Sequence, residues 1–377
     1  AGVLGDRRSV RSDDVAAGAV TLSDPGPPMP AGREAAVTAL SFSRDGQRVI
    51  GAWSTGHVAL WDARTGRRHV TLRGHAARVT TAAFSPDGAL CLTAGDDRTA
   101  RVWSARTGAQ LQLLRGHTDY VLAAAFSPDG RRVITAGDRS AIVWDARSGA
   151  QVQALQGHVK KVTAAAFSPD GERAATTGLD GTVRLWDVRG GAGVATLQAH
   201  TAAVLGAAFS ADGERVVTVS ADQSARTWDA RAGLLDVTLS GHGQPVVAAA
   251  FSRDGRQVVT ASDDGTARAW DARTGAAGPV LQAQGVKAHA VAFSADGAHV
   301  AVASVDDGAA VWRADGWAVE RTAALGCDVM DVAFSPDLRR VALAGADNTG
   351  ALWNVHSGEL TRLVGHVGPL AAVAFSG

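Results

Sequence analysis

A Phe-Ser pair recurs along this chain at an almost constant interval, and this repeat limits the possible folds more than any other feature. Its phenylalanines stand 41 or 42 residues apart, at Phe42, Phe84, Phe126, Phe167, Phe209, Phe251, Phe293, Phe334 and Phe375. A period of this length over most of a 377-residue chain predicts a repeat architecture, in which each unit packs on its neighbours.

Four short β-strands are predicted in each unit, as the copy from Gly157 to Asp187 illustrates. Proline and glycine in its Ser168–Gly171 segment are typical of a tight turn between two strands. In this copy we expect strands at Val162–Phe167, Arg173–Thr177, Thr182–Trp186 and Ala195–Leu197. A sheet of four short strands cannot bury both faces alone, so we expect the sheets to pack around an axis. The run Ala164-Ala165-Ala166 suits the narrow inner edge of such a ring.

Two dipeptides hold fixed places in the units. Gly-His occurs at Gly74-His75, Gly116-His117, Gly157-His158, Gly241-His242 and Gly365-His366, and Trp-Asp at Trp61-Asp62, Trp144-Asp145, Trp186-Asp187, Trp228-Asp229 and Trp270-Asp271. In these residues the chain resembles the WD-repeat β-propeller family, over roughly nine tenths of its length. The resemblance implies an all-β ring of four-stranded blades that binds proteins or peptides.

The number of units predicts the number of blades. Eight complete units run from about Val37 to Val364, which favours eight blades, the alternative being seven blades with surplus repeats. We expect residues 1–36 to be an N-terminal linker, with one closing strand near Ala19–Ser23, and residues 37–377 to form the propeller. One more first strand, Leu370–Phe375, either begins a ninth repeat or closes the ring by pairing with N-terminal sequence.

A histidine, a threonine, an aspartate and a tryptophan take fixed places in five consecutive units. They are His75, Thr93, Asp97 and Trp103; His117, Thr135, Asp138 and Trp144; His158, Thr176, Asp180 and Trp186; His200, Thr218, Asp222 and Trp228; and His242, Thr260, Asp264 and Trp270. A hydroxyl, an imidazole and a carboxylate would suit nucleophilic catalysis. A set repeated in every unit favours a structural role instead, and the resemblance implies a buried hydrogen-bonded tetrad. We therefore expect no catalytic residue among them.

The flanking units depart from this pattern. The places of His, Thr and Asp are taken by Arg33, Gly51 and Thr55 in the first unit, by Gln284, Val302 and Asp306 in the seventh, and by Leu325, Leu343 and Asp347 in the eighth. We expect these three blades to lack the tetrad.

The candidate partner-binding face is predicted from loops that differ between units. In the WD-repeat family the loop after Gly-His and the loop before the third strand open on one face, and loops on rigid scaffolds carry function. The candidates there are Trp53, Arg78, Asp119, Tyr120, Lys160 and Lys161. Tyr120 is the only tyrosine, and tyrosine and arginine often anchor interfaces.

Charge and composition indicate few other partners. With 37 basic and 37 acidic residues the formal net charge is zero, which argues against nucleic acid or a membrane surface as partner. Cys91 and Cys327 are far apart in sequence, so neither a disulfide framework nor a zinc site is expected. No phosphate-binding glycine loop occurs, and we expect neither cofactor nor metal. No apolar run reaches about 20 residues, and a cytoplasmic location is expected.

The predicted function is a non-catalytic scaffold for protein–protein contacts, acting as a monomeric sensor or docking domain within a larger bacterial regulatory protein. The alternative is an enzyme on a propeller frame, with a site in the central channel. Its candidates are the polar residues His289 and Asp331, which interrupt the small-residue pattern of the inner strands.

Overall fold

The computed structural model describes residues 20–21, 37–63, 65, 67–190, 193–198, 200–282, 286–305, 308–335, 338–345, 350–364 and 373–375. These residues form β-strands, turns and short loops, and none of them lies in a helix. The strands are numbered β1 to β34 in chain order.

Eight blades of four strands each account for all but two of these strands. A short strand, β1 (Val20–Thr21), precedes them. Blade 1 comprises β2 (Val37–Phe42), β3 (Arg48–Trp53), β4 (Val58–Asp62) and β5 (Arg68–Leu72); blade 2, β6 (Val79–Phe84), β7 (Leu90–Gly95), β8 (Thr99–Ser104) and β9 (Gln110–Arg115); blade 3, β10 (Ala123–Phe126), β11 (Arg132–Ala136), β12 (Ser140–Asp145) and β13 (Gln151–Gln156); and blade 4, β14 (Val162–Phe167), β15 (Arg173–Gly178), β16 (Val183–Asp187) and β17 (Gly193–Leu197).

The second half continues in the same way. Blade 5 comprises β18 (Val204–Phe209), β19 (Arg215–Ser220), β20 (Ser224–Asp229) and β21 (Leu235–Ser240); blade 6, β22 (Val246–Phe251), β23 (Gln257–Ser262), β24 (Thr266–Asp271) and β25 (Ala277–Gln282); blade 7, β26 (Ala288–Phe293), β27 (His299–Ser304), β28 (Gly308–Arg313) and β29 (Val319–Ala323); and blade 8, β30 (Val329–Phe334), β31 (Arg340–Gly345), β32 (Gly350–Asn354) and β33 (Leu360–Val364). The last strand is β34 (Val373–Phe375).

The blades form a closed ring. In each blade the four strands pair antiparallel in chain order, and the first strands of successive blades from 1 to 8 contact one another around the inside, while β34 contacts the first strands of both blade 8 and blade 1. Blades 1 and 8 share a hydrophobic cluster in which Leu40, Phe42 and Val49 pack with Ala342 and Leu352. The prediction of an eight-bladed all-β propeller is therefore confirmed, and the seven-bladed alternative is not the arrangement formed.

Local sequence explains the hairpins, as blade 4 shows. The N–H of Gly171 donates to the carbonyl of Ser168 at 2.8 Å, which closes the turn between β14 and β15. Gly171 has φ = 69°, in the left-handed region that favours glycine. The expected first strand, Val162–Phe167, is formed with the predicted ends, and the other three expected strands differ by one or two residues at their ends.

The third-strand tryptophan binds each blade to the blade before it. Trp186 of blade 4, for example, lies in a buried cluster with Ile134, Val143 and Leu155 of blade 3. The same contact is made by Trp103, Trp144, Trp228, Trp270, Trp312 and Trp353. Burial of so large a side chain at each junction contributes much of the apolar area that holds the ring together.

Blade 1 is the exception. Its tryptophan, Trp61, packs with Ala59 and Trp53 of the same blade, and the ring centroids of Trp53 and Trp61 lie 5.5 Å apart. Trp61 does not join the cluster shared with blade 8. Among the described residues, the junction between blades 8 and 1 therefore lacks the third-strand tryptophan contact that the other seven have, and Trp53 packs against the shared cluster instead.

Two additional strands lie at this same junction. β1 pairs with β33 of blade 8, and β34 pairs with β2 of blade 1 in the register Leu40↔Val373, while also contacting β30. Both pairings are parallel, whereas every other strand pair in the described part of the chain is antiparallel. The strand expected at the end of the chain thus pairs with the first strand of blade 1 through residues 373–375.

An open cavity of about 600 Å³ separates the outer parts of blades 8 and 1. It is lined by Asp45, Gly46, Gln47, Asp62, Ala63, Arg340, Leu352, Asn354, Glu359 and Thr361. At the junction of blades 4 and 5 an arginine crosses to the next blade, where Arg173 Nη2 donates to the carbonyl oxygen of Gly213 at 2.8 Å. Arg340 holds the corresponding place in blade 8 and is exposed.

Candidate functional site

The tetrad of blade 4 connects strands β15 and β16, the turn between them and the loop after Gly157. His158 Nδ1 lies 3.0 Å from Asp180 Oδ2, and His158 Nε2 lies 2.9 Å from Thr176 Oγ1. The indole N–H of Trp186 donates to the same Thr176 Oγ1 at 2.9 Å. The four side chains therefore form one chain of hydrogen bonds from the loop surface to the buried tryptophan.

The same order of contacts occurs in all five units that carry the four residues. The His–Asp distance is 2.8–3.3 Å, and both the His–Thr and the Trp–Thr distances are 2.8–2.9 Å. The sets are His75, Thr93, Asp97 and Trp103; His117, Thr135, Asp138 and Trp144; His158, Thr176, Asp180 and Trp186; His200, Thr218, Asp222 and Trp228; and His242, Thr260, Asp264 and Trp270.

Electrostatics fix the protonation states in this chain of hydrogen bonds. Burial alone would raise the pKa of Asp180, but hydrogen bonds from Thr182 and from the N–H of Val159 outweigh it and lower the pKa to about 2. Burial lowers the pKa of His158 from its ordinary value of 6.5. At neutral pH the carboxylate is therefore ionised, the imidazole is neutral with its proton on Nδ1, and Thr176 donates to Nε2.

This geometry favours a structural role over catalysis. Thr176 is fully buried, and its hydroxyl already accepts one hydrogen bond and contacts the histidine. A nucleophile needs an accessible face and a base that can take its proton, whereas here the polar atoms satisfy one another away from solvent.

The predicted partner-binding residues of blades 3 and 4 are brought together on the loop face. Lys161 Nζ lies 2.7 Å from Asp119 Oδ2 and 5.3 Å from the centre of the Tyr120 ring. The N–H of Tyr120 donates to Asp119 Oδ1 at 2.8 Å. Tyr120 nevertheless remains 48% exposed, and Arg78 and Lys160 are exposed on the same face. Trp53 is only half-buried and packs against Trp61.

Two family models match this chain. The family described as IFT122 first beta-propeller matches residues 120–377, and the family described as WD domain, G-beta repeat matches residues 66–104. The chain belongs to the WD-repeat β-propeller family. A comparison with curated proteins gave no match. WD-repeat propellers generally serve as scaffolds for protein interactions and are typically non-enzymatic.

The flanking blades of this WD-repeat propeller differ in the tetrad places. In blade 1 the threonine is replaced by Gly51, and the indole Nε1 of Trp61 and Thr55 Oγ1 are buried without a hydrogen-bond partner among the described residues. In blades 7 and 8 the replacements are apolar and buried, at Val302, Leu325 and Leu343. Arg33, Gln284, Asp306, Asp347 and the pair Gly365-His366 lie outside the described residues.

Sequence reasoning missed two apolar side chains beside Tyr120. Val159 is 72% exposed and Leu179 is 40% exposed, both on the loop face of blade 4. The available signal was positional: Val159 follows Gly-His where other units have Ala76, Thr118 or Thr201. A large apolar residue at an otherwise small or polar loop position is a sign of a contact surface.

The central-channel candidates occupy neighbouring inner strands of the propeller. His289 lies on β26 and Asp331 on β30, and both are half-buried. Asp331 Oδ1 accepts a hydrogen bond from the N–H of Val332 at 2.9 Å. Within the described ranges no group of three or more His, Cys, Asp or Glu side chains is placed to hold a metal ion. No helix in the described part of the chain is long and apolar enough to cross a membrane.

Proposed function

We propose that this WD-repeat propeller is a non-catalytic scaffold that docks a protein or peptide on its loop face, at a site centred on Tyr120. The observation that carries the proposal is the exposed Tyr120 ring, which is held in place by Lys161 from the next blade. Lys161 is in turn held by Asp119, so three side chains from two blades fix one another.

A fixed aromatic ring is a favourable anchor for a partner. Binding orders flexible side chains at a cost in entropy, and a ring that is already held in one position loses less. Tyrosine is enriched among residues whose truncation weakens interfaces most, because it offers a large apolar area and a polar end. The contacts of Tyr120 with Asp119 and Lys161 thus support an anchoring role.

We propose in addition that the ring acts as the sensor or docking part of a larger bacterial regulatory protein, as a monomer in the cytoplasm. The regulatory role is supported by the high similarity between units, because arrays of similar units resemble those found in bacterial signalling proteins. Nucleic acid and membrane surfaces are not proposed as partners, because the formal net charge of the whole chain is zero.

The docking site is tested by capturing partners with the intact chain and with two triple variants. Arg78, Tyr120 and Lys161 are changed to alanine in the first variant. The control replaces Arg131, Glu172 and Arg256, which are exposed residues of the turns at the opposite end of the inner strands. We expect the partners bound by the parent to be lost with the first variant and kept with the control. An unchanged set of partners with the first variant would refute the site.

A further inference from the structure

Exposed basic side chains cluster on the loop face of blades 2, 3 and 4. We define the basic sector as Arg78, Arg98, Arg139, Lys160 and Lys161. Only Lys161 forms an ion pair with a described residue of these loops, Asp119, and Asp96 is a further half-buried acidic side chain there. The corresponding places in blades 5 and 6 hold uncharged residues such as Ala203, Gln244 and Pro245. The positive charge is therefore local, although the whole chain is neutral.

The half-buried tetrad carboxylates below the basic sector do not cancel its charge. Asp97, Asp138 and Asp180 of the tetrads are ionised below this surface, while Arg101 and Arg184 lie on the third strands of blades 2 and 4. Arg101 Nη2 is 3.8 Å from Asp97 Oδ2. Basic side chains still outnumber acidic ones when all of these are included.

Backbone hydrogen bonds join the loops of the basic sector into one surface. Asp96 N donates to the carbonyl of Arg78 at 2.8 Å within blade 2, and Val121 N donates to Gly95 O at 3.1 Å between blades 2 and 3. In blade 4, Leu179 N donates to Lys161 O at 2.9 Å. The three exposed apolar side chains, Tyr120, Val159 and Leu179, lie within this surface. It therefore combines positive charge with apolar area.

Arg98 holds its place in this surface at a conformational cost. Its φ is 66°, in the left-handed region that residues with a side chain rarely adopt. The same turn position is glycine in blades 1, 4 and 6, where Gly56, Gly181 and Gly265 all have positive φ. Gln223 of blade 5 has the same conformation, so Arg98 is distinguished by the charge that it adds to this surface and not by its backbone.

We propose that the basic sector binds an acidic protein segment that also carries apolar side chains. This rests on the proposed docking function and specifies the chemistry of the partner. Carboxylates of the segment pair with Arg98, Arg139 and Lys160, and its apolar side chains cover Tyr120, Val159 and Leu179. The guanidinium of Arg98 supplies a bidentate donor for one carboxylate, which glycine at that position could not do.

A protein segment fits this surface better than nucleic acid does. Single-stranded nucleic acid is held by aromatic rings on which successive bases stack, and Tyr120 is the only aromatic side chain among the residues that form this surface. Val159 and Leu179 offer aliphatic area that a base or a phosphate would leave unused. The surface is thus matched to carboxylates and aliphatic or aromatic side chains together.

The test selects peptides from a random library displayed on phage, with the intact chain as the target. Each selected peptide is then synthesised, and its Kd is measured by fluorescence anisotropy against the parent and variants. Arg98→Gly combined with Lys160→Gln removes two charges of the basic sector. Gln223→Gly is the matched control, because Gln223 has φ = 70° at the same turn position in blade 5, outside the sector. Single-stranded DNA and phosphatidylserine vesicles are measured as alternative probes.

We expect the selected peptides to be enriched in Asp and Glu, to contain apolar residues, and to bind the double variant about tenfold more weakly. Raising the salt concentration should weaken binding to the parent. Gln223→Gly should bind as the parent does, and both glycine variants should melt at or above the temperature of the parent, since glycine relieves the strain.

Several outcomes would overturn the proposal. Selected peptides without acidic enrichment, or with an affinity that the double variant does not change, would refute the binding role of the basic sector. The protein would then still be a scaffold, with its docking site elsewhere. Tighter binding of the DNA or the vesicles, lost in the double variant, would assign the sector to that class of partner. Failure to select any peptide would refute the binding of a linear segment, and the docking function itself would fail only if the parent also captured no partner.

Discussion

The indole N–H of Trp186 donates to Thr176 Oγ1 at 2.9 Å, whereas the indole N–H of Trp61 is buried without a partner among the described residues. The two tryptophans hold the same place in blades 4 and 1, so phenylalanine substitutions form a matched pair. Trp186→Phe removes a satisfied hydrogen bond, while Trp61→Phe removes a donor that costs free energy to bury. We expect Trp186→Phe to lower the free energy of unfolding by about 1–2 kcal/mol more than Trp61→Phe does.

Equilibrium urea unfolding, followed by circular dichroism, measures this difference. Both side chains are at least 95% buried, but Trp186 packs on blade 3 and Trp61 within blade 1, so the difference combines the hydrogen bond with the packing at the junction. Equal losses in the free energy of unfolding would show that the indole N–H of Trp61 finds a hydrogen-bond acceptor in solution. The description of blade 1 as lacking this hydrogen bond would then be wrong.

Replacing the tetrad aspartate tests the role of the hydrogen-bond chain. Asp180→Ala removes the acceptor of the buried His158 Nδ1–H and of the N–H of the exposed Val159. We expect a loss of about 1–3 kcal/mol in the free energy of unfolding. The control is Asp187→Ala, because Asp187 is half-buried at the end of β16 and its carboxylate accepts only hydrogen bonds from the solvent-exposed turn that follows. A variant of Asp180 that melts like the parent would contradict the tetrad assignment in blade 4.

How far the sequence predicts this molecule depends on whether a feature repeats. His158, Thr176, Asp180 and Trp186 stand at a spacing that four units share, and the fifth, with Asp138 and Trp144, is one residue shorter, so their contact follows once the turns set the register of the strands. The packing of Trp61 could not be predicted in this way, because it depends on how the first and last blades meet. That junction is a contact between residues about 300 positions apart, for which the repeat offers no copy to compare.

The loop face shows the same limit at smaller scale. Tyr120 and Lys161 could be nominated because they differ from the residues at equivalent positions, yet their cation–π contact depends on side-chain conformations across two blades. The left-handed φ of Arg98 was predictable in principle, since glycine holds that turn position in three other blades. A comparison of the turns of all units, position by position, would have identified the conformation of Arg98.

The tetrads make stability depend on pH in two steps. Burial lowers the pKa of His117, His158, His200 and His242 below the ordinary 6.5, so the unfolded chain binds protons near pH 6.5 that the folded chain does not. Stability is therefore fully present above pH 6.5 and falls as the pH decreases below it. The lowered pKa of Asp180 and Asp222, about 2 against an ordinary 3.8, adds a second loss as the pH falls from about 4 towards 2.

Melting temperature measured from pH 8 to pH 2 tests both steps. We expect a plateau at the alkaline end, a decline that begins near pH 6.5, and a steeper decline below pH 4. In a variant with His158→Gln the first decline should be smaller, since one of the histidines that titrate only in the unfolded chain has been removed. Stability that rises as the pH falls from 7 to 5 would contradict the neutral state of the buried histidines.

The arginine that crosses between blades gives the last prediction, because the contact is formed between blades 4 and 5 but, among the described residues, not by Arg340 between blades 8 and 1. Arg173 Nη2 donates to Gly213 O in the next blade at 2.8 Å and its side chain is mostly buried, whereas Arg340 is exposed beside the cavity between blades 8 and 1. Arg173→Met leaves the carbonyl of Gly213 without this donor but also removes Nη1, which is buried without a partner among the described residues, so the net cost should be about 1 kcal/mol. Arg340→Met should change the free energy of unfolding by less than about 0.5 kcal/mol.

Urea unfolding measures the free energy of unfolding of both variants, and hydrogen exchange should show faster exchange around Gly213 only in Arg173→Met. If Arg340→Met proved as destabilising as Arg173→Met, Arg340 would cross the junction in solution, and blades 8 and 1 would be joined as blades 4 and 5 are.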